Sequence, residues 1–186
     1  MHHMRKIILN LAVSLDGYIE GPNKEIDWII FDAEGGSSLN DFAKEIDTIL
    51  YGRTSYEAWG TYVPSENAPD FEKDFYAATG KMTKYVFSST KEAFPGNPVV
   101  VSEDIAAAMQ QLKQQPGKDI WLYGGAGLIT TFLNLQLVDE FRLAVMPMIL
   151  GSGTPLFKEI KDRVPLQFTR TQASKSGVLE LRYEKI

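Results

Sequence analysis

The sequence predicts an α/β domain of three layers, in which helices flank a mixed, mostly parallel sheet that ends in an antiparallel hairpin. Two observations support this fold class. Short apolar runs alternate with segments of helical period along most of the chain, an order typical of parallel sheets covered by helices. The segment 166–186 departs from that order, because it has two β-rich runs around a turn at 174–177.

The composition is that of a globular protein with one core. The chain has 186 residues, of which 44% are hydrophobic, 23% charged and 11% aromatic. A chain of this length buries roughly 70% of its unfolded surface, which is enough for a core without disulfides or metals. Residues 1–3 are predicted to be the remnant of an added tag, and residues 4–186 a single domain.

Charge and residue content argue against several classes of function. The net charge of −5 gives no electrostatic footprint for nucleic acid or for an anionic membrane. No apolar stretch approaches the ~18 residues of a transmembrane helix, so we expect a cytoplasmic protein. The chain has no cysteine, which excludes disulfides, thiolate catalysis and Cys-type zinc sites.

Histidine is missing outside the predicted tag, since His2 and His3 are the only two. Histidine-based triads and most transition-metal sites are then excluded, and we expect no metal site. Any proton chemistry must use Asp, Glu, Tyr, Lys or water.

The first elements are a buried strand and an amphipathic helix. The apolar run 7–13 has the continuity of a strand buried on both faces, and turns follow at 16–17 and 21–23. Ser38 is the expected N-cap of the first helix. That helix is predicted from an apolar stripe at helical spacing, formed by Leu39, Phe42 and Ile46.

Two further strands follow. A short strand ends at Gly52, and a helix is expected to begin with Arg53 and the hydroxyls after it. Pro64 and Pro69 indicate a loop that leads to a short helix at 71–77. The strand at 84–90 ends in a row of hydroxyls.

The second half repeats the strand-to-helix order. Ser102 is predicted to cap a helix that Pro116 and Gly117 stop. The strand at 119–123 leads through glycines into another helix. The long strand at 140–150 contains Pro147, which indicates an edge position or a bulge.

The segment 124–127, Gly-Gly-Ala-Gly, lies between a buried strand and a helix. Such a junction lies at the carboxyl end of the sheet, where α/β proteins bind ligands. Glycines let the backbone approach an anion, and the first amides of a helix attract negative charge. The segment therefore predicts a phosphate cradle, with a tight turn in which glycine only relieves crowding as the alternative.

Two other strand ends have groups that bind anions. Gly52 is followed by Arg53, Thr54 and Ser55. The strand at 84–90 ends in Ser88, Ser89 and Thr90, with Lys91 next. A surface arginine and ordinary turn residues are the alternative reading. Their joint occurrence with 124–127 indicates a ligand with several phosphates, although the spacing is not the G-x-G-x-x-G of a Rossmann fold.

The order of five motifs resembles the dihydrofolate reductase superfamily, and most closely its branch with the C-terminal reductase domain of riboflavin biosynthesis. The resemblance spans residues 6–184. It implies a dihydrofolate-reductase-like central mixed sheet of about eight strands. The motifs, in chain order, are LAVSLDGYIEG, LYGRTSYE, VFSST, WLYGGAGLITTFL and PMILGSGTPLF.

This resemblance implies NADPH as the cofactor. The diphosphate would be lined by Gly124, Gly125, Ala126, Gly127 and Leu128, with Gly52, Arg53 and Thr54 also holding phosphate. Ser88, Ser89 and Lys91 would lie near the adenosine and its 2′-phosphate. Ala12 would border the nicotinamide, with Gly17 and Ile19 in a mobile loop that closes over it. The cofactor would supply the hydride and the protein its orientation.

The residues of proton transfer are less defined. Dihydrofolate reductases have a carboxylate on the first helix, and its position falls near Ser38 here. In the riboflavin branch the aspartate of SLDG approaches the substrate, which implies a catalytic Asp16, unless Asp16 only makes an Asp-Gly turn. Asp27 and Asp32 are weaker candidates for the proton donor, since either can be a helix cap or a solvated acid.

Two residues are candidates for substrate binding. Trp28 is either a wall of the substrate pocket or a core residue. Thr154, in the segment 151–154, would contact a polar substrate tail, unless that segment is only a Gly-rich turn. Because no deaminase precedes the domain, we expect a stand-alone reductase.

Several functions remain as hypotheses. The first is an NADPH-dependent oxidoreductase that transfers a hydride to a C=N or C=O bond of a small heterocyclic or sugar-phosphate substrate, as 5-amino-6-(5-phosphoribosylamino)uracil reductase does. The alternatives are an NADPH-binding protein without turnover, a dihydrofolate reductase with an unusual proton donor, and a plain dimeric scaffold. Members of the riboflavin branch are commonly dimers, so we expect a homodimer formed through the strand at 141–150.

Overall fold

The computed structural model describes residues 4–31 and 33–186, so the predicted tag and the candidate Asp32 lie outside the described residues. The helices are α1 (Ala33–Glu45), α2 (Arg53–Trp59), α3 (Asp70–Thr79), α4 (Ile105–Gln114) and α5 (Ala126–Asn134). The strands are β1 (Ile7–Ser14), β2 (Tyr18–Glu20), β3 (Ile46–Gly52), β4 (Thr83–Phe87), β5 (Val99–Val101), β6 (Asp119–Gly124), β7 (Glu140–Met146), β8 (Thr154–Pro155), β9 (Leu166–Ala173) and β10 (Leu179–Lys185).

Eight strands form one sheet in the order β5-β4-β3-β6-β1-β7-β10-β9. All neighbours from β5 to β7 are parallel, whereas β10 is antiparallel to both β7 and β9. The predicted mixed sheet with a C-terminal hairpin is therefore confirmed. β2 and β8 form a separate antiparallel pair.

Helices cover both faces of the sheet. On one face, α4 and α5 bury an aliphatic core that includes Leu9, Leu122 and Phe132. On the other face, α1, α2 and α3 cover a core rich in aromatic side chains, with Tyr51 and Trp121 among them. Because side chains alternate along a strand, adjacent residues of β6 contribute to opposite cores.

Two predicted helix caps were wrong. α1 begins at Ala33, so Ser38 lies inside the helix and not at its start. Asp104 caps α4, because its carboxylate accepts a hydrogen bond from the amide of Ala107 at 3.1 Å. Ser102 lies two residues too early, since a capping side chain must reach the amides of the first turn.

The prediction for Pro147 was also wrong. β7 pairs with β1 on one side and β10 on the other, so it is an interior strand. It ends at Met146, immediately before the proline. Proline lacks the N–H that an interior strand needs, and it is tolerated here because the paired part of β7 has ended.

Candidate functional site

Three strand ends with anion-binding groups lie side by side. β4, β3 and β6 are neighbours in the sheet, and their register pairs Gly52 with Phe87 and Tyr51 with Gly124. A Cβ atom placed on Gly52 would lie 3.4 Å from the Gly124 carbonyl oxygen. The predicted convergence of these junctions on one edge of the sheet is thus observed.

The glycine corner has a backbone that few other residues would adopt. Gly124 has a φ of +105°, a value that glycine reaches without steric cost. Gly125 follows through a cis peptide, and its N–H donates to Ser55 Oγ at 3.0 Å. Gly127 faces open space, since a Cβ atom placed there would meet nothing within 4 Å. Leu128 is buried in the core, so only its main chain can face a ligand.

The ladder between β1 and β6 ends early next to this corner and leaves a gap, here called the crevice. β1 pairs with β7 over Ile8–Ser14, but its register with β6 covers only Ile7–Leu9. Beyond that point the indole N–H of Trp121 donates to the Asn10 carbonyl at 2.9 Å, so a side chain replaces the next main-chain hydrogen bond between the two strands. Ala12 lies past this contact, on the open part of β1 where the nicotinamide was predicted.

Two tyrosines form an aromatic wall on the α1/α3 side of the sheet next to this crevice. Tyr51 and Tyr123 are the penultimate residues of β3 and β6, and their ring centroids are 4.7 Å apart. Within the described part of the chain, neither hydroxyl has a hydrogen-bond partner. Burial raises the pKa of both phenols, and that of the nearby Tyr76 to about 12. All three are therefore neutral hydrogen-bond donors at physiological pH.

Sequence reasoning missed these two tyrosines. The signal was a repeated tripeptide, because Leu-Tyr-Gly occurs at 50–52 and again at 122–124. Each copy ends a strand, and the two strands are neighbours. The repeat therefore places the same phenol twice on one face of the sheet.

Asp16 ties the loop after β1 to a second loop. Its carboxylate accepts hydrogen bonds from Ser14 Oγ at 2.6 Å, Gly151 N–H at 2.8 Å and Leu150 N–H at 3.1 Å. The Ser14 hydroxyl, followed by the two amides, lowers the pKa of Asp16. Gly17 completes the turn with a φ of +90°. Asp16 thus makes the Asp-Gly turn and is ionised at neutral pH, which makes it a poor proton donor.

The strand pair β2–β8 extends the same loop structure. Ile19 lies on β2 and packs against the aliphatic core. Thr154 lies on β8, and its Oγ1 accepts a hydrogen bond from Lys24 Nζ at 3.1 Å. A Cβ atom on Gly153 would lie 2.1 Å from the Glu20 carbonyl oxygen, so the close approach of the two strands requires glycine there.

Trp28 and Asp27 lie in different environments. Trp28 is buried, and its indole N–H donates to the Glu25 carbonyl at 3.2 Å. Asp27 is exposed. The tryptophan is buried but belongs to neither of the two core clusters, whereas the aspartate side chain is open to solvent.

A carboxylate from β10 reaches the position at which the first helix has a serine. Ser38 Oγ donates to Glu180 Oε2 at 2.9 Å, and Glu180 also accepts from Arg182 Nε at 2.6 Å. Ala12, Ala144 and Glu180 are register partners across β1, β7 and β10. Register partners share a face, so this carboxylate lies in the same row as Ala12.

The ends of β3 and β4 have two cations that share one carboxylate. Lys91 Nζ lies 2.8 Å from Glu57 Oε1, and Arg53 Nη1 lies 3.4 Å from Glu57 Oε2. Ser88 Oγ accepts a hydrogen bond from the Lys91 amide at 3.0 Å and so shapes the turn. Thr54 and Ser89 are exposed at the same edge.

A cavity of about 710 Å³ lies between α2, α3 and the beginning of β4. Tyr62, Tyr76 and Lys84 line it. It is separate from the glycine corner, because its strand residues are at the amino ends of β4 and β5. Tyr56 also lines this cavity, and its ring contacts that of Tyr51, with centroids 5.5 Å apart.

The described residues lack the features of two other classes of protein. Among residues 4–31 and 33–186, no helix is long and apolar enough to cross a membrane. The same residues contain no group of three or more His, Cys, Asp or Glu side chains placed to hold a metal ion.

The fold is of the dihydrofolate-reductase-like class. A dihydrofolate reductase from Enterococcus faecalis, solved as a complex with NADP(H), superposes with a TM-score of 0.66 at 13% identity over 100% of this chain and 99% of its own. Residues 5–179 match the RibD C-terminal domain, and the chain belongs to that family.

Two relatives refine this placement. The uncharacterized protein YyaP of Bacillus subtilis (strain 168) is 49% identical over 179 residues, which is 96% of this chain and 94% of YyaP. A deaminase/5-amino-6-(5-phosphoribosylamino)uracil reductase from Thermotoga maritima superposes with a TM-score of 0.71 at 13% identity. The match covers 98% of this chain and 57% of that protein, so the fold corresponds to part of the larger enzyme.

Proposed function

We propose that the protein is an NADPH-dependent reductase that transfers a hydride to a C=N or C=O bond of a small heterocyclic or sugar-phosphate substrate. The observation that supports it best is the meeting of three anion-binding strand ends beside the crevice between β1 and β6. The solved relatives named above include a reductase and a complex with NADP(H). A cytoplasmic enzyme related to riboflavin biosynthesis is part of this proposal.

The residues at the strand ends fit the cofactor. The first amides of α5 and the open space at Gly127 suit a diphosphate, which binds at helix N-termini through N–H groups and partial positive charge. Arg53 and Lys91 suit the remaining phosphate, and Ala12 leaves room for a flat ring in the crevice. When bound, NADPH supplies the hydride.

The two tyrosines in the wall of the crevice suit a substrate that accepts hydrogen bonds. The hydroxyls of Tyr51 and Tyr123, which have no partner among the described residues, can donate to a carbonyl oxygen or a ring nitrogen. This favours a heterocyclic substrate over a hydrocarbon. A neutral phenol also stabilises negative charge as it develops on that atom. Glu180, held by Ser38, is the carboxylate in the row of Ala12 and replaces the missing acid of α1 in this proposal.

Two measurements test the proposal. The melting temperature should rise with millimolar NADPH, and more than with NADH. NADPH oxidation, followed at 340 nm, should then occur with a compound from a panel of dihydropterins, dihydrofolate and 5-amino-6-ribosylaminouracil phosphate. Binding without oxidation by the whole panel would favour a cofactor-binding protein, and turnover of dihydrofolate alone would favour a dihydrofolate reductase. A melting temperature that does not change with millimolar NADPH would contradict the proposal.

We also propose that the protein is a homodimer. Both edges of β7 are occupied by other strands, so its residues 141–146 have no free edge for a strand of a second copy, whereas Met148 and Ile149 after it are exposed. The edge strand β9 is exposed along its whole length. Phe168 is 53% exposed and packs against Tyr183, and Leu179 is 38% exposed. This apolar face of the hairpin is where a second copy would bind.

A further inference from the structure

Two cations from different strand ends meet on one carboxylate at the proposed coenzyme site. Arg53 follows β3, and Lys91 follows the turn after β4. Lys91 contacts one oxygen of Glu57 at 2.8 Å, and Arg53 contacts the other oxygen at 3.4 Å. Glu57 thus occupies the place at which both cations can bind a single negative group.

This arrangement is ordered and open to solvent at the same time. Lys91 Nζ also lies 4.7 Å from the centroid of the buried Phe94 ring, so its position is held from two sides. The side chains of Arg53, Glu57 and Lys91 are 47%, 35% and 44% exposed. An anion that arrives from solvent can therefore reach both cations.

Glu57 is ionised in the free protein. The hydrogen bond from Lys91, together with the charges of Lys91 and Arg53, lowers the pKa of its carboxyl group. A second anion at this place would compete with Glu57 for the cations and would be repelled by its charge.

We propose that Glu57 limits the preference for NADPH over NADH, because its carboxylate stands in for the 2′-phosphate of NADPH in the free protein and must move when that phosphate binds. This inference rests on the proposed function. NADPH has to displace Glu57, whereas the 2′-hydroxyl of NADH can donate a hydrogen bond to it. An acidic residue on the ribose selects NAD in other dinucleotide sites for that reason. Glu57 therefore weakens the preference that Arg53 and Lys91 create.

The experiment compares dissociation constants of NADPH and NADH for the wild type, Glu57→Gln and Asp41→Asn, by calorimetry at fixed ionic strength. Asp41→Asn is a matched control, since Asp41 is an exposed carboxylate in a helical ion pair with Lys44 at 2.8 Å and its loss changes the net charge equally. Glu57→Gln should bind NADPH about threefold to tenfold more tightly. Its affinity for NADH should stay equal or fall, and Asp41→Asn should change neither.

Binding of coenzyme fragments tests whether Glu57 acts on the 2′-phosphate. Adenosine 2′,5′-bisphosphate should gain affinity in Glu57→Gln as NADPH does, and adenosine 5′-diphosphate should not. An equal change for both coenzymes, or weaker binding of NADPH, would overturn the role of Glu57 while a wild type that binds NADPH keeps its proposed function. A wild type that binds neither coenzyme would overturn both.

Discussion

Gly125, at the beginning of α5, donates its N–H to the hydroxyl of Ser55 on α2 at 3.0 Å. This bond joins the corner after β6 to the corner after β3, across the ends of two neighbouring strands. A Cβ atom on Gly125 would itself lie only 3.0 Å from Ser55 Oγ. The two corners are therefore fitted to each other before any ligand binds.

Ser55→Ala should loosen this junction. The variant leaves the Gly125 amide without its partner, at a cost of about 1 kcal/mol, which lowers the melting temperature by roughly 2–4 °C for a chain of this size. The dissociation constant of NADPH should rise as well, because the diphosphate would bind between less ordered corners. Thr131→Val is the control, since the Thr131 hydroxyl bonds within α5 itself, to the Gly127 carbonyl at 3.0 Å. A normal NADPH affinity in Ser55→Ala would argue against the junction as part of the cofactor site.

Two glycines three positions apart should respond oppositely to alanine. Gly124→Ala forces a side chain into a φ of +105° and puts Cβ 2.9 Å from the buried Ile129 Cδ1, which costs about 1–3 kcal/mol. Gly127→Ala meets open space inside a helix and should stabilise the free protein by up to about 1 kcal/mol. Thermal unfolding measures both effects.

The same pair tests the cofactor site. The methyl group that Gly127→Ala introduces would project into the space proposed for the diphosphate. The variant should therefore bind NADPH at least tenfold more weakly despite its higher melting temperature. Unchanged binding in this stable variant would mean that the diphosphate lies elsewhere.

Tyrosine-to-phenylalanine variants on the α1/α3 side of the sheet should distinguish a structural hydroxyl from hydroxyls that bind a ligand. Tyr56 is buried and donates to the Pro95 carbonyl at 2.7 Å, so Tyr56→Phe should lose about 1–2 kcal/mol of unfolding free energy. Tyr51→Phe and Tyr123→Phe remove hydroxyls that have no partner among the described residues, and should be neutral or slightly stabilising. Denaturant unfolding of the three variants checks this order.

Enzyme activity tests whether the hydroxyls of Tyr51 and Tyr123 contact the substrate. Tyr51→Phe and Tyr123→Phe should reduce kcat/KM for the substrate found in the panel and leave the NADPH dissociation constant unchanged. Tyr85→Phe is the matched control, because Tyr85 packs against the opposite core on the neighbouring β4. Equal turnover in all three variants would remove the tyrosines from the substrate pocket.

Asp16 should make stability depend on acid pH. Its folded-state pKa lies below the ordinary value of 3.8, so its contribution is fully present well above that value and is lost as the pH falls through the lowered pKa. Asp16→Asn should reduce the melting temperature at neutral pH and flatten its decline in acid. Asp41→Asn, whose carboxylate contacts Lys44 on the surface, should keep the decline of the wild type. Parallel curves for Asp16→Asn and the wild type would contradict this role.

The hairpin face should control the oligomeric state. Phe168→Asp puts a charge at the centre of the apolar face around Tyr183, and should convert a dimer to a monomer in sedimentation equilibrium. Val63→Asp is the control, because Val63 is 80% exposed in the loop after α2. A wild type that sediments as a monomer at ~10 μM, far above the nanomolar dissociation constants of stable complexes, would contradict the proposed homodimer.

Local pattern was enough to predict much of the fold and one edge of the site. The run at 7–13 is apolar except for Asn10 because β1 lies inside the sheet and is largely covered on both faces. Gly52 and Gly124 end strands in the sequence as in the structure. Since the carboxyl ends of parallel strands meet at one edge, the alternation of strands and helices places both glycines at that edge. That β3 and β6 are direct neighbours is seen only in the fold.

Other features depend on contacts that no local pattern encodes. Ser38 and Glu180 are 142 positions apart, and only the tertiary fold brings their side chains together. Ser102 and Asp104 both suit a helix cap, and the choice between them depends on how the loop after β5 enters α4. Pro147 is compatible with an edge, a bulge or a strand end, and only the pairing of β10 with β7 decides among these.

The parting of β1 from β6 has an evolutionary consequence. Where two strands separate, main-chain groups are left to interact with whatever enters, and they do so regardless of the side chains that flank them. Substitutions along the open part of β1 can then reshape the entrance while the ladder with β7 preserves the scaffold. Proteins with this fold can therefore change their ligand specificity through a few substitutions while the sheet is retained.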